Sequence, residues 1–398
     1  INTVRLPINP STVLESWWEA YSATIDQAIN KNMKVVLAYW EGASSRDGLI
    51  DNTTEFWDMW DTVVNQYSED ENVYFEVFNE PHGYSLSQLT SLYNDWLSAY
   101  PDVPRGRIIL GGIGYSENVT GIGADSRFND CLLSLHNYAF WKTLSSSAQW
   151  EQDWSNGVGS YADRTIVTEY GATMTSGKNY TGSANGDNEI AYIQGSTNFF
   201  RKNEIGSIYW PGLRDDDPYS IQTRSGSGTN ITLSTTNQSG VDRIRYGWGE
   251  NTSDTVTEST YYQIVNRNSG NVLDVNNAST ENGADVIQWP DNGGHNQHWE
   301  IIDVGDGYSQ IVNRNSGLNL DVNGASTADG TKVIQWPYNG GYNQHWEIID
   351  NGGGYYRIIN RNSGKALDVD GSSTANGAGI IQWSWNGGTN QQWELIQQ

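Results

Sequence analysis

Two glutamates in this sequence each follow an apolar run with the length and composition of a buried strand. The segment FEVFNEPHG at 75–83 places Glu80 directly after Asn79, and the segment IVTEYGA at 166–172 places Glu169 after a second run. If both runs are strands of one sheet, two carboxyl groups face one cleft. Cleavage of a glycosidic bond needs such a pair, because the leaving oxygen takes a proton from one group while the other attacks or stabilises the anomeric carbon.

Each glutamate motif also has a plain structural interpretation. Asn, Pro and Gly are turn formers, so Glu80 could be a solvated loop residue, and a single glutamate at a strand end is usually a solvent-facing charge. The pair is more specific than either member, because His136 and Trp210 follow two further apolar runs. This combination of residue types at separate strand ends favours catalysis.

The first 249 residues alternate short apolar or β-branched runs with amphipathic stretches of helical length. We predict strands at 4–6, 35–38, 73–78, 107–110, 132–135, 165–168 and 208–210, and helices at 14–30, 56–67, 86–100 and 189–202. Strand–helix alternation indicates a parallel sheet, and seven repeats favour a (β/α)8 TIM barrel whose first strand is absent from the chain. In such a barrel, catalytic groups are expected at the carboxyl ends of the strands.

The last third of the chain repeats itself. The segment IVNRNSGNVLDV at 264–275 returns as IVNRNSGLNLDV at 311–322 and as IINRNSGKALDV at 358–369, so the period is 47 residues. Short apolar runs broken by Gly, Asn and Asp predict β-hairpins in each copy. Three such units do not each bury a core alone and are expected to close around a shared axis. We therefore predict a barrel domain at 1–249, a polar linker at 250–260 and an all-β domain at 261–398.

Composition limits the partners. A formal net charge of −25 repels nucleic acid and anionic membranes, so a neutral glycan is the expected partner, with no nucleic acid or membrane partner. The five histidines are scattered and the chain has one cysteine, so we predict no metal site and no cofactor. A monomer is expected. The richness in Asn, Ser, Thr and Gly suits a secreted protein, from which a leader could have been removed upstream.

On these motifs, the first domain resembles glycoside hydrolase family 5, whose members are retaining (β/α)8 hydrolases. The resemblance implies that Glu80 is the general acid/base and Glu169 the nucleophile. It also implies substrate-site roles for a set of polar and aromatic residues: Arg5 beside the nucleophile, Asn79 at the 2-hydroxyl, His136, Tyr138 as a donor to the nucleophile, and Trp210 under the sugar. His136 has a structural alternative, as a buried histidine with satisfied hydrogen bonds.

One segment departs from the pattern of that family. Many members carry a histidine after the third strand, whereas this chain has Tyr39, Trp40 and Glu41 there. The subsite for the non-reducing sugar is therefore expected to be built differently. Glu41 could bind sugar hydroxyls or could be a loop charge. Cys131 is expected to be a small core residue rather than a nucleophile.

The repeat domain resembles the ricin-B-type β-trefoil lectins, also called carbohydrate-binding module family 13. The resemblance rests on a Gln-x-Trp triplet that ends each repeat, at Trp299, Trp346 and Trp393. It lacks the usual disulfides of that family. It implies sugar sites in which an Asp accepts hydroxyl protons and an aromatic ring stacks on the sugar, at Asp274, Trp289 and Asn296, at Asp321, Trp336, Tyr338 and Asn343, and at Asp368, Trp383, Trp385 and Asn390.

These repeat residues have a structural alternative, since Asn-Gln pairs also brace turns. The first repeat has Asp291 where the others have Tyr338 and Trp385, so its site is expected to be weaker.

Two functions fit the whole sequence. The first is a retaining hydrolase of a neutral polysaccharide or oligosaccharide that carries a sugar-binding targeting module. The second is a lectin whose barrel binds without catalysis, and the presence of both glutamates favours the first. Within the hydrolase interpretation, an exo-acting furanosidase on galactofuranose or arabinofuranose side chains stays open, because fold and carboxylate pair do not select the sugar.

Overall fold

A parallel sheet of seven strands forms the first domain. The structure, a computed structural model, describes residues 2–42, 46–228, 230–250 and 260–398. The strands pair in chain order: β1 (Thr3–Ile8), β2 (Lys34–Tyr39), β3 (Val73–Glu76), β4 (Ile108–Gly111), β5 (Leu132–His136), β6 (Thr165–Tyr170) and β7 (Ser207–Tyr209). Cα atoms of β1 and β7 approach within 8 Å, so the sheet curls into a barrel. The predicted barrel of parallel strands is confirmed.

Helices connect the strands of this sheet along the chain. They are α1 (Pro10–Leu14), α2 (Trp18–Ile29), α3 (Thr53–Tyr67), α4 (Leu86–Ala99), α5 (Ile113–Ser116), α6 (Thr120–Gly123), α7 (Ser147–Val158), α8 (Asn188–Lys202) and α9 (Gln238–Gly247). Most of the longer ones begin at a side chain that accepts a backbone N–H of the first turn, as Asn52 does for α3 and Asp187 for α8. The predicted helix at 14–30 is interrupted, because Glu15 is extended and ends α1.

Two of the longer helices, α7 and α9, were not predicted, for different reasons, and the short helices α5 and α6 were not predicted either. In α7, three buried side chains, Trp150, Trp154 and Val158, recur every fourth residue among polar neighbours. In α9, the buried face includes Arg243 and two glycines, so no apolar stripe marks it. A hairpin of β8 (Gln222–Ser227) and β9 (Asn230–Thr235) precedes α9 and is largely exposed.

Twelve antiparallel strands form the second domain. They are β10 (Tyr261–Asn266), β11 (Val272–Val275), β12 (Val286–Trp289), β13 (Trp299–Gly305), β14 (Tyr308–Asn313), β15 (Asn319–Val322), β16 (Thr331–Trp336), β17 (Trp346–Asp350), β18 (Tyr356–Asn360), β19 (Ala366–Val369), β20 (Ile380–Trp383) and β21 (Trp393–Gln397). Trp299, Trp346 and Trp393 are fully buried in one shared core, and each indole N–H donates to a leucine carbonyl of its own repeat. The predicted β-trefoil of three repeats is confirmed.

The two domains meet at a loop that follows β5. The Ser146 hydroxyl caps α7 and donates to the Asn315 carbonyl at 2.9 Å, and the Ser145 hydroxyl donates to the Ser316 carbonyl. Gly317 has a φ of 70°, and a Cβ there would lie 2.4 Å from the Ser145 carbonyl oxygen, so this close approach requires glycine. The trefoil therefore contacts the loop that also carries Tyr138.

The predicted linker at 250–260 has residues 251–259 outside the described part of the chain, so the domain boundary stays a prediction. Within the described ranges, no helix has both the length and the apolar character that crossing a membrane demands.

Candidate active site

Glu169 ends β6 with two donors on its carboxylate. The Arg5 guanidinium, from β1, donates through Nη1 to Oε2 at 2.9 Å, and the Tyr138 hydroxyl donates to Oε1 at 2.7 Å. Burial, followed by the charge of Glu169, raises the pKa of Tyr138 well above its ordinary value, so the phenol keeps its proton and remains a donor. The bond from the guanidinium and the bond from the phenol together orient this carboxylate.

Arg5 is itself held by a second carboxylate. Its Nε and Nη2 donate to the two oxygens of Glu76 at 2.5 and 3.0 Å, and Nη2 also donates to Asn79 Oδ1. Burial opposes the charge of Arg5, but the charges of Glu76 and Glu169 outweigh it and raise the pKa of the guanidinium. Arg5 therefore remains a cation between the carboxyl groups of Glu76 and Glu169.

Glu76 was missed by the sequence reasoning. It is fully buried at the end of β3, four residues before Glu80. A charged residue inside the apolar run VYFEVF was the available indication, since a buried carboxylate requires a charged or hydrogen-bonding partner.

Glu80 meets His136 across the barrel mouth. His136 is fully buried at the end of β5, and its Nδ1 lies 3.0 Å from Glu80 Oε1 while Nε2 lies 2.9 Å from the Thr168 hydroxyl. Thr168 and Ser134 also donate to Glu76 Oε1, at 3.2 and 2.8 Å. One hydrogen-bonded network therefore connects the surroundings of Glu80 with those of Glu169. Thr168 and Ser134 belong to this network, and the sequence did not indicate them.

The two glutamates lie close enough to act on one bond. One oxygen of Glu80, one of Glu169 and one ring nitrogen of His136 all lie within 4.8 Å of one another. Retaining hydrolases separate their carboxyl groups by about 5–5.5 Å and inverting ones by about 6.5–9.5 Å, because inversion needs a water between group and sugar. The Glu80 side chain is 24% exposed and that of Glu169 is 7% exposed. Glu80 is therefore more accessible to solvent than Glu169.

The same three side chains have the spacing of a metal-ligand set. Their donor atoms have other partners, however: both His136 nitrogens have neighbours at hydrogen-bond distance, and Arg5 lies 2.9 Å from Glu169. A guanidinium cation at this distance repels a divalent ion. The donor set does not fit a resident metal.

Two tryptophans stand on another side of the mouth. Trp210 follows β7, and its ring centroid lies 5.0 Å from that of Trp40, which follows β2. Trp40 belongs to the segment after β2 in which the sequence departs from the family pattern. The Arg5 guanidinium carbon lies 5.9 Å from the centroid of the Trp40 ring. Both carboxylate oxygens of Glu41 accept backbone N–H groups, of Asp47 and Gly48, at 2.7 Å, so Glu41 braces its own loop.

Cys131 is buried, and burial raises the pKa of its thiol, as suits a core residue.

Each repeat of the trefoil pairs a buried aspartate with an exposed tryptophan. Asp274 accepts from Asn296 at 3.0 Å and from Gln297 at 2.7 Å, and burial raises its pKa to about 6. Trp289 lies on the neighbouring strand and is 41% exposed. The other two repeats have the same arrangement. Asn343 donates to Asp321 and Asn390 donates to Asp368, each at 2.9 Å. The corresponding tryptophans are Trp336 and Trp383.

The three predicted sugar sites differ at one position. In the first repeat, Asp291 accepts from Gln263 at 2.7 Å. In the second, the Tyr338 hydroxyl lies 3.1 Å from His345 Nε2. In the third, Trp385 is 37% exposed, and the Arg357 guanidinium carbon lies 5.4 Å from its ring. The second and third repeats therefore present an additional ring that the first lacks.

A parallel barrel with a carboxyl pair across the carboxyl ends of its strands, joined to a trefoil, defines a glycoside hydrolase with a lectin-like module. The chain belongs to the cellulase family, glycosyl hydrolase family 5, whose model matches residues 1–212, more than half of its length. The ricin-type β-trefoil lectin domain-like family matches 248–336 and 342–398. No curated protein matches the chain.

Several solved structures are similar to part of this chain. The designed 3-fold symmetric protein ThreeFoil is 56% identical over 34% of this chain and 97% of its own, with a TM-score of 0.34. The exo-β-1,3-galactanase 1,3Gal43A of Clostridium thermocellum is 52% identical over 35% of this chain, with a TM-score of 0.35. This chain covers 30% of that galactanase. The Macrolepiota procera ricin B-like lectin, solved with lactose, is 26% identical over 35% of this chain and 97% of its own, with a TM-score of 0.31.

Proposed function

We propose that the barrel hydrolyses a neutral polysaccharide by double displacement, with retention at the anomeric carbon. Glu80 is the general acid/base and Glu169 the nucleophile. The observation that carries the proposal is the oxygen–oxygen approach of these two carboxyl groups, within 4.8 Å, with Arg5 and Tyr138 on Glu169 alone. The charged donor belongs to the group that must be an anion, and the more exposed group is the one that exchanges protons with the leaving oxygen and with water.

In the first step, the Glu80 carboxylic acid gives its proton to the glycosidic oxygen as the bond from that oxygen to the anomeric carbon breaks. A Glu169 oxygen forms an ester with the anomeric carbon, and the leaving part departs as an alcohol. In the second step, the Glu80 carboxylate takes a proton from water while the water oxygen attacks the anomeric carbon, and Glu169 leaves as a carboxylate. Two inversions give net retention.

The surrounding residues stabilise these steps. Arg5 and Tyr138 bind Glu169 as an anion at the start and at the end of the cycle, and His136 orients Glu80. Asn79, held through its carbonyl by Arg5, donates its amide to the 2-hydroxyl of the sugar, a contact that strengthens in the transition state.

The trefoil supplies weak sugar sites that hold the enzyme near its polymer. Each site uses the carboxyl group of Asp274, Asp321 or Asp368 for hydroxyl groups and the exposed tryptophan of the same repeat for the apolar face of the ring. Several weak sites on one chain raise the effective concentration of substrate at the barrel.

Two variants test the roles of the glutamates once a panel of polysaccharides and aryl glycosides, including furanosides, has identified the sugar. Glu169→Gln should abolish turnover on every substrate, because no atom remains to attack. Glu80→Ala should still react with a dinitrophenyl glycoside, which needs no proton to leave, and added azide should restore turnover with a product of retained configuration, read by NMR. A Glu80→Ala enzyme that neither reacts with the activated substrate nor responds to azide would refute the assignment.

A further inference from the structure

One turn of the trefoil, Asn-Ser-Gly, has the same shape in all three repeats but different surroundings in the second. It ends at Gly270, Gly317 and Gly364, whose φ angles are 73°, 70° and 68°, and each glycine N–H donates at 2.8 Å to the carbonyl four residues earlier. Gly270 and Gly364 are exposed, and within the described residues a Cβ there would meet nothing within 4 Å. Gly317 is buried, and its Cβ would clash with the Ser145 carbonyl. The barrel therefore covers the second copy of this turn.

Hydrogen bonds fix both sides of this contact. On the trefoil side, Ser316 is fully buried and its hydroxyl donates to Gln335 Oε1 at 2.7 Å. On the barrel side, the Ser146 hydroxyl donates to the Asn315 carbonyl and also accepts the backbone N–H of Gln149, as the N-cap of α7. The position of the trefoil turn is therefore tied to the first turn of α7.

Helix α7 leads from this contact back to the proposed nucleophile. Asp153, in α7, accepts from the Asn137 side-chain amide at 2.7 Å, and Asn137 Oδ1 accepts the backbone N–H of Tyr138 at 2.9 Å. The Tyr138 hydroxyl in turn donates to Glu169. Trp150 and Trp154 lock the helix between these two ends, since both are buried. A continuous series of contacts thus joins the second repeat to the carboxylate of Glu169.

The barrel itself holds the middle of the same loop. The Asn188 side-chain amide donates to the Ala139 carbonyl at 2.8 Å, and Asn188 Oδ1 accepts the backbone N–H of Leu144 at 2.9 Å. The trefoil holds the end of the loop, at Ser145 and Ser146, where α7 begins. Loss of the trefoil contact is therefore expected to shift Tyr138 rather than to release the whole loop.

We propose that the trefoil positions Tyr138, and through it Glu169, by docking its second repeat on the start of α7. The inference rests on the proposed function, in which Glu169 is the nucleophile. Ser145, Ser146 and Gly317 are positioning residues, because they act on the carboxylate through α7 and Tyr138. This role is separate from sugar binding, since the proposed sugar sites use the aspartate and the tryptophan of each repeat.

The test measures how fast Glu169 attacks a probe too small to bridge the two domains. The probe is the 2-deoxy-2-fluoro dinitrophenyl glycoside of the sugar that the substrate panel identifies. Glu169 forms an ester with its anomeric carbon as dinitrophenolate leaves, and mass spectrometry of the labelled enzyme gives the rate constant and the final yield. Gly317→Ala should lower the rate constant by about three- to tenfold, because the added Cβ displaces the Ser145 carbonyl.

Gly270→Ala and Gly364→Ala are the matched controls. They place alanine at the same positive φ, and so share its backbone strain, but the space around each is open. Both should keep the wild-type rate constant. A slower reaction in the controls as well would assign the effect to strain in the trefoil and would overturn the inference.

A double variant tests the route through α7. Asp153→Ala breaks the hydrogen bond to Asn137 and leaves the contact between the domains in place. It should slow labelling to a similar extent, and Gly317→Ala combined with Asp153→Ala should lose no more than the larger single variant, because both changes interrupt one series of contacts. Losses that multiply would show that the turn does not act through α7, and would overturn the inference.

The remaining outcomes separate positioning from folding. A wild-type rate constant for Gly317→Ala would overturn the inference. A lower yield of labelled enzyme at an unchanged rate constant would also overturn it, because that result reports a smaller folded fraction. Each of these results leaves the proposed function intact. A wild-type enzyme that forms no ester on Glu169 would instead overturn the proposed function.

Discussion

The barrel and the trefoil both bury carboxylates beside aromatic rings, but they surround them with different partners. In the barrel, Glu169 faces a guanidinium at 2.9 Å and a phenol at 2.7 Å. In the trefoil, Asp274 and Asp321 face neutral amides, and burial raises the pKa of each to about 6. A buried carboxylate keeps its charge when a cation offsets the loss of water, and neutral donors offset that loss only in part. The proposed nucleophile in the barrel thus has a cationic partner, whereas the aspartates of the proposed sugar sites in the trefoil have neutral partners only.

The largest effect is expected when Arg5, the cation beside the buried carboxylates of the barrel, is removed. Arg5→Ala leaves Glu76 fully buried without its cationic partner, and breaking a buried ion pair costs about 3–5 kcal/mol. We expect the barrel unfolding transition in urea to lose stability by this amount and the trefoil transition to stay unchanged.

Arg127→Ala is the matched control in the same domain. Its ion pair with Asp125 is exposed to solvent, and exposed ion pairs contribute little to stability. A loss for Arg5→Ala no larger than that of Arg127→Ala would show that Glu76 does not depend on Arg5.

A smaller effect is expected when the trefoil platforms are removed. Changing Trp289, Trp336 and Trp383 together to alanine should lower hydrolysis of an insoluble polymer by about tenfold, because several weak sites act together, and should leave hydrolysis of a small aryl glycoside unchanged. Taken singly, Trp289→Ala should cost least, since the first repeat has Asp291 in place of a second ring.

Ile396→Ala serves as the control in the same domain, since Ile396 is as exposed as Trp289, at 41%, but lies outside the predicted sugar sites. Equal losses of the triple variant on the polymer and on the aryl glycoside would show that the trefoil stabilises the barrel instead of binding the polymer.

The smallest predicted effect is a change in the stability of the trefoil with pH, which arises from the protonation of Asp274. Asp274 has a folded-state pKa of about 6, above its ordinary value of 3.8, so the folded chain binds this proton more tightly than the unfolded chain. Its contribution to stability is present at low pH and is lost as pH rises through 6. From pH 7 to pH 5 the trefoil should gain about 1 kcal/mol from this residue.

The measurement compares wild type with Asp274→Asn by urea denaturation at both pH values. The comparison is needed because burial lowers the pKa of His295 to about 4, which changes stability in the opposite direction between pH 4 and 6.5. Asp303→Asn, at an exposed position in the same domain, is the control. A wild-type-minus-variant difference that does not change with pH would contradict the assignment of the shift to Asp274.

Local pattern predicted most of the fold. All seven predicted parallel strands are present, because each is a short apolar run bounded by polar turns, and the repeat period predicted the trefoil directly. Helices α7 and α9 were missed because their buried faces include tryptophans spaced among polar residues, or an arginine and glycines. The hairpin of β8 and β9 is exposed and has no buried face that an alternating pattern could reveal.

What the sequence determined by itself is the pair of domains, the three-fold repeat and the two glutamates at strand ends, since each is encoded in neighbouring residues. Only the tertiary structure decided which groups surround those glutamates. Arg5 and Glu76 are 71 positions apart, and Arg5 and Glu169 are 164 apart. The rings of Tyr115 and Trp141, whose centroids are 5.7 Å apart, likewise come from segments that follow different strands. These contacts depend on the curvature of the sheet, which brings distant strand ends to one mouth and which no local periodicity encodes.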